Sequence, residues 1–316
     1  MPARSDSAHE GPDDSAEGSP EPAARIGFQD IRSDDGTHLR AWTNDPAGRI
    51  DGPTVVLCNG LGTNPWAWPA LLDPDCGVRV VSWNHRGTGG SARPADPERV
   101  GIDAFVEDAL SVMDHFGLDR AVLVGWSMGV NTMFELALTH PERVAGLFAV
   151  AGVPGDTFST MLGPLRLPRF AAKAVAGGAS RALRLGGRAL TPVVTRLPVG
   201  PRGLVLISHS GFMFPVPDRQ LAVRAVREFL RTPVEWYAHL ALHTARHGRV
   251  PLSRIDAPAV FVAGRYDVLA GARQMATAAE RMADATYVEL RGSHFVQMEQ
   301  PTRVHELLLE FLDRVG

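Results

Sequence analysis

Apolar residues follow two spacings along this 316-residue chain. The runs "PTVVLCNG" (53–60), "VRVVSWN" (78–84), "AVLVGWS" (121–127), "RVAGLFAVAG" (143–152) and "PAVFVAG" (258–264) are nearly continuous and rich in β-branched side chains. Runs of this kind predict strands buried on both faces, as in a parallel sheet. "ATYVELRG" (285–292) adds a further strand. Near the start, "RIGFQDIRS" and "THLRAWTND" are separated only by the turn-prone Asp34-Asp35-Gly36. They lie too close for a crossover helix, so they predict an antiparallel hairpin at one edge. Helical spacing marks Ile102 to Phe116 through Phe105, Leu110, Val112 and Met113, and it marks Thr302 to Val315 behind Pro301.

Strands alternating with helices predict an α/β protein with a mostly parallel, doubly wound sheet and an antiparallel N-terminal edge. The rhythm breaks between Asp156 and about Pro251, where the pattern is mainly helical and punctuated by Gly and Pro. An insertion between two returning strands predicts a helical cap. The expected organisation is an acidic disordered tail (1–24), a core in two parts (25–155 and 252–316) and the cap or lid (156–251). The tail has six acids, one arginine and almost nothing apolar, so it cannot offset its ordering entropy.

Composition narrows the function classes. A hydrophobic content of 45% suits a globular protein with a substantial core, and a net charge of −3 gives no general attraction to nucleic acid. Two cysteines, Cys58 and Cys76, are too few for a disulfide framework. No stretch has the length of a membrane span or resembles a signal peptide, so a cytoplasmic protein is expected. From Thr157 to Pro217 the insertion carries eight Lys or Arg residues and no Asp or Glu. Two readings follow: a membrane-seeking basic helix, or a solvated face with arginine stems over apolar neighbours. The second is preferred.

The candidate chemistry begins at "LVGWSMGVN" (123–131), a serine between two glycines where a strand pattern gives way to a helix pattern. A sharp strand-to-helix turn needs small residues two positions either side, hence Gly125 and Gly129, and it projects Ser127 above the sheet edge. A hydroxyl needs a base, and the base needs an orienting carboxylate. Asp267 in "GRYDVLAG" and His294 in "GSHFVQMEQP" each follow a strand, at the edge where open-sheet sites gather. Asp156 is an alternative acid. Asp256 and Asp284 precede their strands and belong to the wrong edge. His85 and His305 are less well placed. The Leu61 amide in "CNGLGTN" and the Met128 amide are the expected oxyanion donors. Asn59, Gly60, Trp66, Trp126 and Phe295 are candidate pocket residues, with Trp68 near the same entrance.

These stretches, together with "NHRGTGGS" after the next strand, resemble the α/β-hydrolase superfamily, in order and from Arg25 to Gly316. The resemblance implies a triad of Ser127, Asp267 and His294, an oxyanion hole at Leu61 and Met128, and no cofactor or metal. Relatives often have His-Gly where this chain has Asn59-Gly60, and Asp where it has Asn84. Family members that open epoxides or remove halides place Asp at the elbow, so Ser127 argues against both. The expected reaction is hydrolysis of a hydrophobic small-molecule ester through an acyl-enzyme. A C–C bond hydrolase, thioesterase, acyltransferase or perhydrolase would use the same triad, and a low-turnover binding protein would use the same fold.

Two rival signals are set aside. "CNGLGTNP" lacks the third glycine of a dinucleotide loop, and Asn84 stands where an acid would hold ribose. His239, His243 and His247, with Glu235 one turn earlier, share a helix face as metal ligands can, but an exposed polar stripe is preferred.

Overall fold

The computed structural model describes residues 26–156 and 169–316. Eight strands form one sheet: β1 (Gly27–Arg32), β2 (His38–Thr43), β3 (Thr54–Cys58), β4 (Arg79–Trp83), β5 (Ala121–Trp126), β6 (Val144–Val150), β7 (Ala259–Gly264) and β8 (Ala285–Leu290). Their order is β1-β2-β4-β3-β5-β6-β7-β8. β1 pairs antiparallel with β2, and β2 with β4; every pairing from β4 through β8 is parallel. The expected N-terminal hairpin is therefore present.

Alternation along the central strands feeds two apolar layers. Val56, Leu123, Leu147 and Phe261 face one side, against Phe105 of α1 (Ile102–His115), Met133 of α2 (Gly129–Thr139) and other helical residues. Val55, Leu57, Val122, Val124, Phe148 and Val262 face the other, with helical residues that include Phe311. Between β6 and β7 lie α3 (Arg169–Val194), α4 (Pro201–Ser208), α5 (Arg219–Leu230) and α6 (Val234–Thr244). α7 (Ala272–Ala279) follows β7, and α8 (Val296–Glu299) and α9 (Pro301–Val315) close the chain. No helix among the described residues is long and apolar enough to cross a membrane. The expected tail and the cap segment 157–168, with Arg166, fall outside the described residues.

The loop after β4 is held by charge. Arg86 is fully buried and donates to both oxygens of the equally buried Asp108, to Asp35 Oδ2, to the Arg99 carbonyl and to Ser33 Oγ. Burial pulls the Arg86 guanidinium down, but Asp108 and Asp35 hold it above its ordinary value. Beside it His85 packs edge-on against Phe105, with ring centroids 4.7 Å apart, and its Nδ1 has no hydrogen-bond partner. Burial lowers the His85 pKa from 6.5 to about 4.

The unfolded chain thus takes up this proton near pH 6.5, whereas the folded chain resists it until about 4. Stability from this group is complete above 6.5 and is lost as pH falls toward 4, by on the order of 3 kcal/mol. Urea unfolding at pH values across that window should show the slope, and His85→Gln should flatten it. An unchanged slope in the variant would assign the acid sensitivity elsewhere.

Candidate active site

Ser127 immediately follows β5 with φ of 55°, a left-handed conformation that is strained for a residue with a side chain. The strain persists because the turn is packed on every side. Ser127 N donates to the Val150 carbonyl at 3.0 Å. A Cβ on Gly129 would lie 1.8 Å from the Cys58 carbonyl oxygen, and one on Gly125 would lie 2.5 Å from Met133 Sδ. Only glycine fits at 129, where the obstacle is backbone; at 125 a side chain would have to displace Met133. The helix that starts at Gly129 directs its N-terminal end toward this turn.

β7 and β8 are neighbours, so the loops after them meet. His294 Nε2 lies 2.8 Å from Ser127 Oγ, and its Nδ1 lies 2.9 Å from Asp267 Oδ2. Asp267 Oδ1 accepts from the Leu269 and Ala270 amides at 2.7 and 2.8 Å. The carboxylate side chain is wholly buried and the imidazole nearly so. The His294 carbonyl accepts from Trp126 Nε1 at 2.9 Å, which pins the loop to the end of β5. The same loop approaches β7 so closely that a Cβ on Gly264 would sit 2.1 Å from the Ser293 carbonyl oxygen. Glu299, buried on α8, accepts from Ser293 N at 2.7 Å and also from Phe214 N at 2.7 Å, ahead of α5. Chemically, this arrangement can move a proton from the Ser127 hydroxyl to an imidazole whose far nitrogen is held by a fixed anion.

A cavity of about 380 Å³ opens on these groups. Gly60, Leu61, Trp126, Ser127, Met128, His294 and Phe295 line it. The Leu61 and Met128 amides make no hydrogen bond among the described residues, so both remain available as donors. Two expected pocket residues are not on the wall. Asn59 faces its own loop: its Oδ1 accepts from Gly60 N and Trp68 Nε1, and its Nδ2 donates to the Asn64 carbonyl. Trp66 is buried with its ring 3.5 Å beneath the Arg224 guanidinium. Trp68 is likewise core.

The fold, the strand order and this elbow agree with a family comparison. A model of the alpha/beta hydrolase fold matches residues 53–301. The chain belongs to the alpha/beta hydrolase family.

Within that family it is similar to epoxide hydrolase A of Mycobacterium tuberculosis, 28% identical over an alignment of 303 positions that covers 84% of this chain and 92% of that one. A putative carbamate hydrolase RutD from a Caulobacter species is 42% identical over 104 residues, only 32% of this chain and 38% of its own length. Among solved structures, a hydrolase from Pseudomonas aeruginosa matches with a TM-score of 0.68 and 24% identity, covering 90% of this chain and 98% of its own. An enol-lactonase from Burkholderia xenovorans matches at 0.66 and 23%, covering 91% and 100%. These two likenesses concern the fold.

Other charged candidates lie elsewhere on this hydrolase. Asp156 pairs with Lys173 at 3.4 Å and does not meet His294. Asp284 faces Arg314 at the opposite strand ends, and His305 Nε2 donates to the Cys76 carbonyl. His239 and His243 are buried, which overturns the exposed stripe expected for them. With Glu98 they bring three ligand atoms within 4.8 Å of one another, a set able to hold a divalent ion. The Arg246 guanidinium already lies 3.4 Å from Glu98 Oε2 and 3.3 Å from His243 Nδ1, and it competes for the same groups. None of these lines the cavity. His247 instead pairs with Glu135 at 2.9 Å.

Much of the wall comes from residues that sequence reasoning missed: Ile207, Phe212, Met213, Phe229 and Tyr237 from the segment between β6 and β7, and Leu269 and Met298 beyond it. Burial pushes the Tyr237 hydroxyl above its ordinary pKa. Helical spacing located α5 and α6 only as part of a helical region, and it carried no signal for which side turns toward Ser127.

Proposed function

We propose that this alpha/beta hydrolase is a cofactor-independent serine hydrolase acting on a hydrophobic carboxylic ester. One observation carries the reading: the unbroken hydrogen-bonded series Asp267–His294–Ser127, placed against a largely apolar cavity. His294 removes the Ser127 proton as Oγ attacks the ester carbonyl. The Leu61 and Met128 amides receive the developing oxyanion, each contributing roughly 2.7–4 kcal/mol of barrier lowering. The C–O bond breaks, His294 returns the proton to the alcohol, and an acyl ester remains on Ser127. Water, deprotonated by His294, then cleaves that ester and frees the acid. Residues 156–251 act as a cap that closes the cavity and sets substrate size.

The likeness to an epoxide hydrolase does not favour epoxide opening here. Serine attack on an epoxide carbon would leave an ether on Ser127, which an imidazole-activated water does not cleave. Attack on a carbonyl leaves an ester, which it does. Carbamates and thioesters share that carbonyl and form the nearest competing substrate classes.

A fluorophosphonate probe should label the wild-type protein stoichiometrically and fail to label Ser127→Ala. Turnover of nitrophenyl esters should then rise from acetyl to medium acyl chains as the apolar wall is filled. Labelling without multiple turnovers on any ester, thioester or carbamate would replace the enzyme by a binding protein.

A further inference from the structure

A surface helix in a globular domain normally turns its apolar stripe inward and its charges outward. α3 does the reverse. Among the described residues its two buried positions are glycines, Gly177 and Gly187, and its half-buried ones, Ala171, Ala176, Ser180 and Thr191, are small, Val194 apart. A Cβ on Gly187 would lie 2.6 Å from the Glu235 amide, so α3 rests on α6 almost backbone to backbone. Thr191 Oγ1 seals that contact by donating to Glu235 Oε2 at 2.7 Å. The larger apolar side chains are left outside. Val175, Ala179, Ala182, Leu185, Ala189 and Val193 follow one another at three- and four-residue steps, and all are exposed. Arg181 and Arg188 occupy a flank between the two faces, while Lys173 and Arg184 share the side of Gly177 and Thr191 and line the groove beside α6.

The exposure is local to this part of the molecule. Every large hydrophobic side chain exposed among the described residues, apart from Phe28 and Tyr266, lies between Phe170 and Phe212. Leu185 is 86% accessible and Phe170 78%; α4 continues the surface with Leu206 at 75%. The arginine stems do not cover these residues, which departs from the solvated cap face preferred from the sequence.

We infer that the α3–α4 face docks on an anionic lipid bilayer, lying in its interface. The partner must be negative, because residues 170–217 carry six Lys or Arg, including Arg181 and Arg188 beside the stripe, and no Asp or Glu. It must also offer hydrocarbon, because the outward stripe is apolar. An acidic protein segment or a nucleic acid would neutralise the arginines and leave the leucines in water. A second copy in a symmetric pair would set basic flank against basic flank. An anionic membrane surface supplies phosphate oxygens at the level of the arginines and acyl chains a few ångströms deeper.

The docking face is continuous with the cavity. Ile207, next to the outward Leu206, lines the cavity wall, and so does Phe212. A lipophilic ester dissolved in the bilayer would therefore reach Ser127 beside the point of attachment. That delivery step rests on the serine-hydrolase reading; the docking does not.

The test uses full-length Ser127→Ala protein and sedimentation with vesicles of phosphatidylcholine alone or mixed with phosphatidylglycerol. Binding to the mixed vesicles should exceed binding to neutral ones and weaken as salt rises. Arg181→Gln with Arg188→Gln should reduce it roughly thirtyfold, about fivefold per charge removed. Leu185→Gln with Leu206→Gln should also abolish most of the binding, while otherwise wild-type protein carrying that pair keeps its rate on a short soluble ester. Vesicle binding with no esterase activity would preserve the docking and remove the delivery. Absence of vesicle binding, equal binding to both vesicles, or indifference to both variant pairs would overturn the docking. A concentration-dependent dimer broken by the leucine pair, without vesicle binding, would give the face to a second copy instead.

Discussion

Asp267→Asn is expected to lower kcat for ester hydrolysis about ten-thousandfold at neutral pH, with KM changed only a few fold and the fold intact. The argument lies in the two amides on the far side of the carboxylate. Leu269 N and Ala270 N donate to Oδ1 at 2.7 and 2.8 Å, so an asparagine must turn its single carbonyl oxygen toward them. Its NH2 group then faces His294 Nδ1, which can only accept. The ring proton is driven to Nε2, the nitrogen 2.8 Å from Ser127 Oγ. An imidazole in that tautomer cannot take the serine proton. His294→Ala should cost at least as much by removing the base outright. Steady-state kinetics on a nitrophenyl ester decide the matter: a loss below tenfold for Asp267→Asn would mean that Asp267 does not set the tautomer.

The second large effect concerns stability. Asp108→Ala should destabilise the protein by about 3–5 kcal/mol, because it leaves the fully buried Arg86 guanidinium facing an empty site. Asp35 stays bonded to Nη1, but the Nε side loses both of its acceptors. A fall in Tm of about 5–8 °C follows for a chain of this size. Replacing both partners, Arg86→Met with Asp108→Leu, should recover much of the loss, since no unpaired charge remains. Differential scanning calorimetry on the wild type and the two variants checks it. A cost near zero for Asp108→Ala would show that solvent or Asp35 satisfies Arg86 unaided.

The centre of the sheet was legible in the sequence because β3 to β7 are buried on both faces and therefore read as nearly unbroken apolar runs. β5, with six buried residues, is the plainest case. Position relative to those runs also located Asp267 and His294, since a residue following a parallel strand must emerge at the same edge as Ser127. Proximity in sequence was a poorer guide than strand polarity. Asn59 and Trp66 flank Gly60 and Leu61 closely, yet the loop turns its glycine and leucine to the cavity and its asparagine and tryptophan into the protein. Helical spacing had a similar limit. It grouped His239 with His243 correctly but could not say that this side of α6 packs against Pro97 and Glu98. For α3 the apolar positions were visible, and what was hidden was that glycines would make the contact with α6.

Glu299 joins two parts of the molecule that are far apart in sequence. Its carboxylate is tied to Ser293, the residue immediately before His294, and to the amide of Phe214, one residue after the cavity-lining Met213. Widening the mouth by swinging the 212–214 segment outward must either break the Phe214 tether or tug the imidazole away from Ser127. The 212–214 wall segment and the proton acceptor thus share one anchor, and a displacement of that segment should register as a lengthened Ser127–His294 separation.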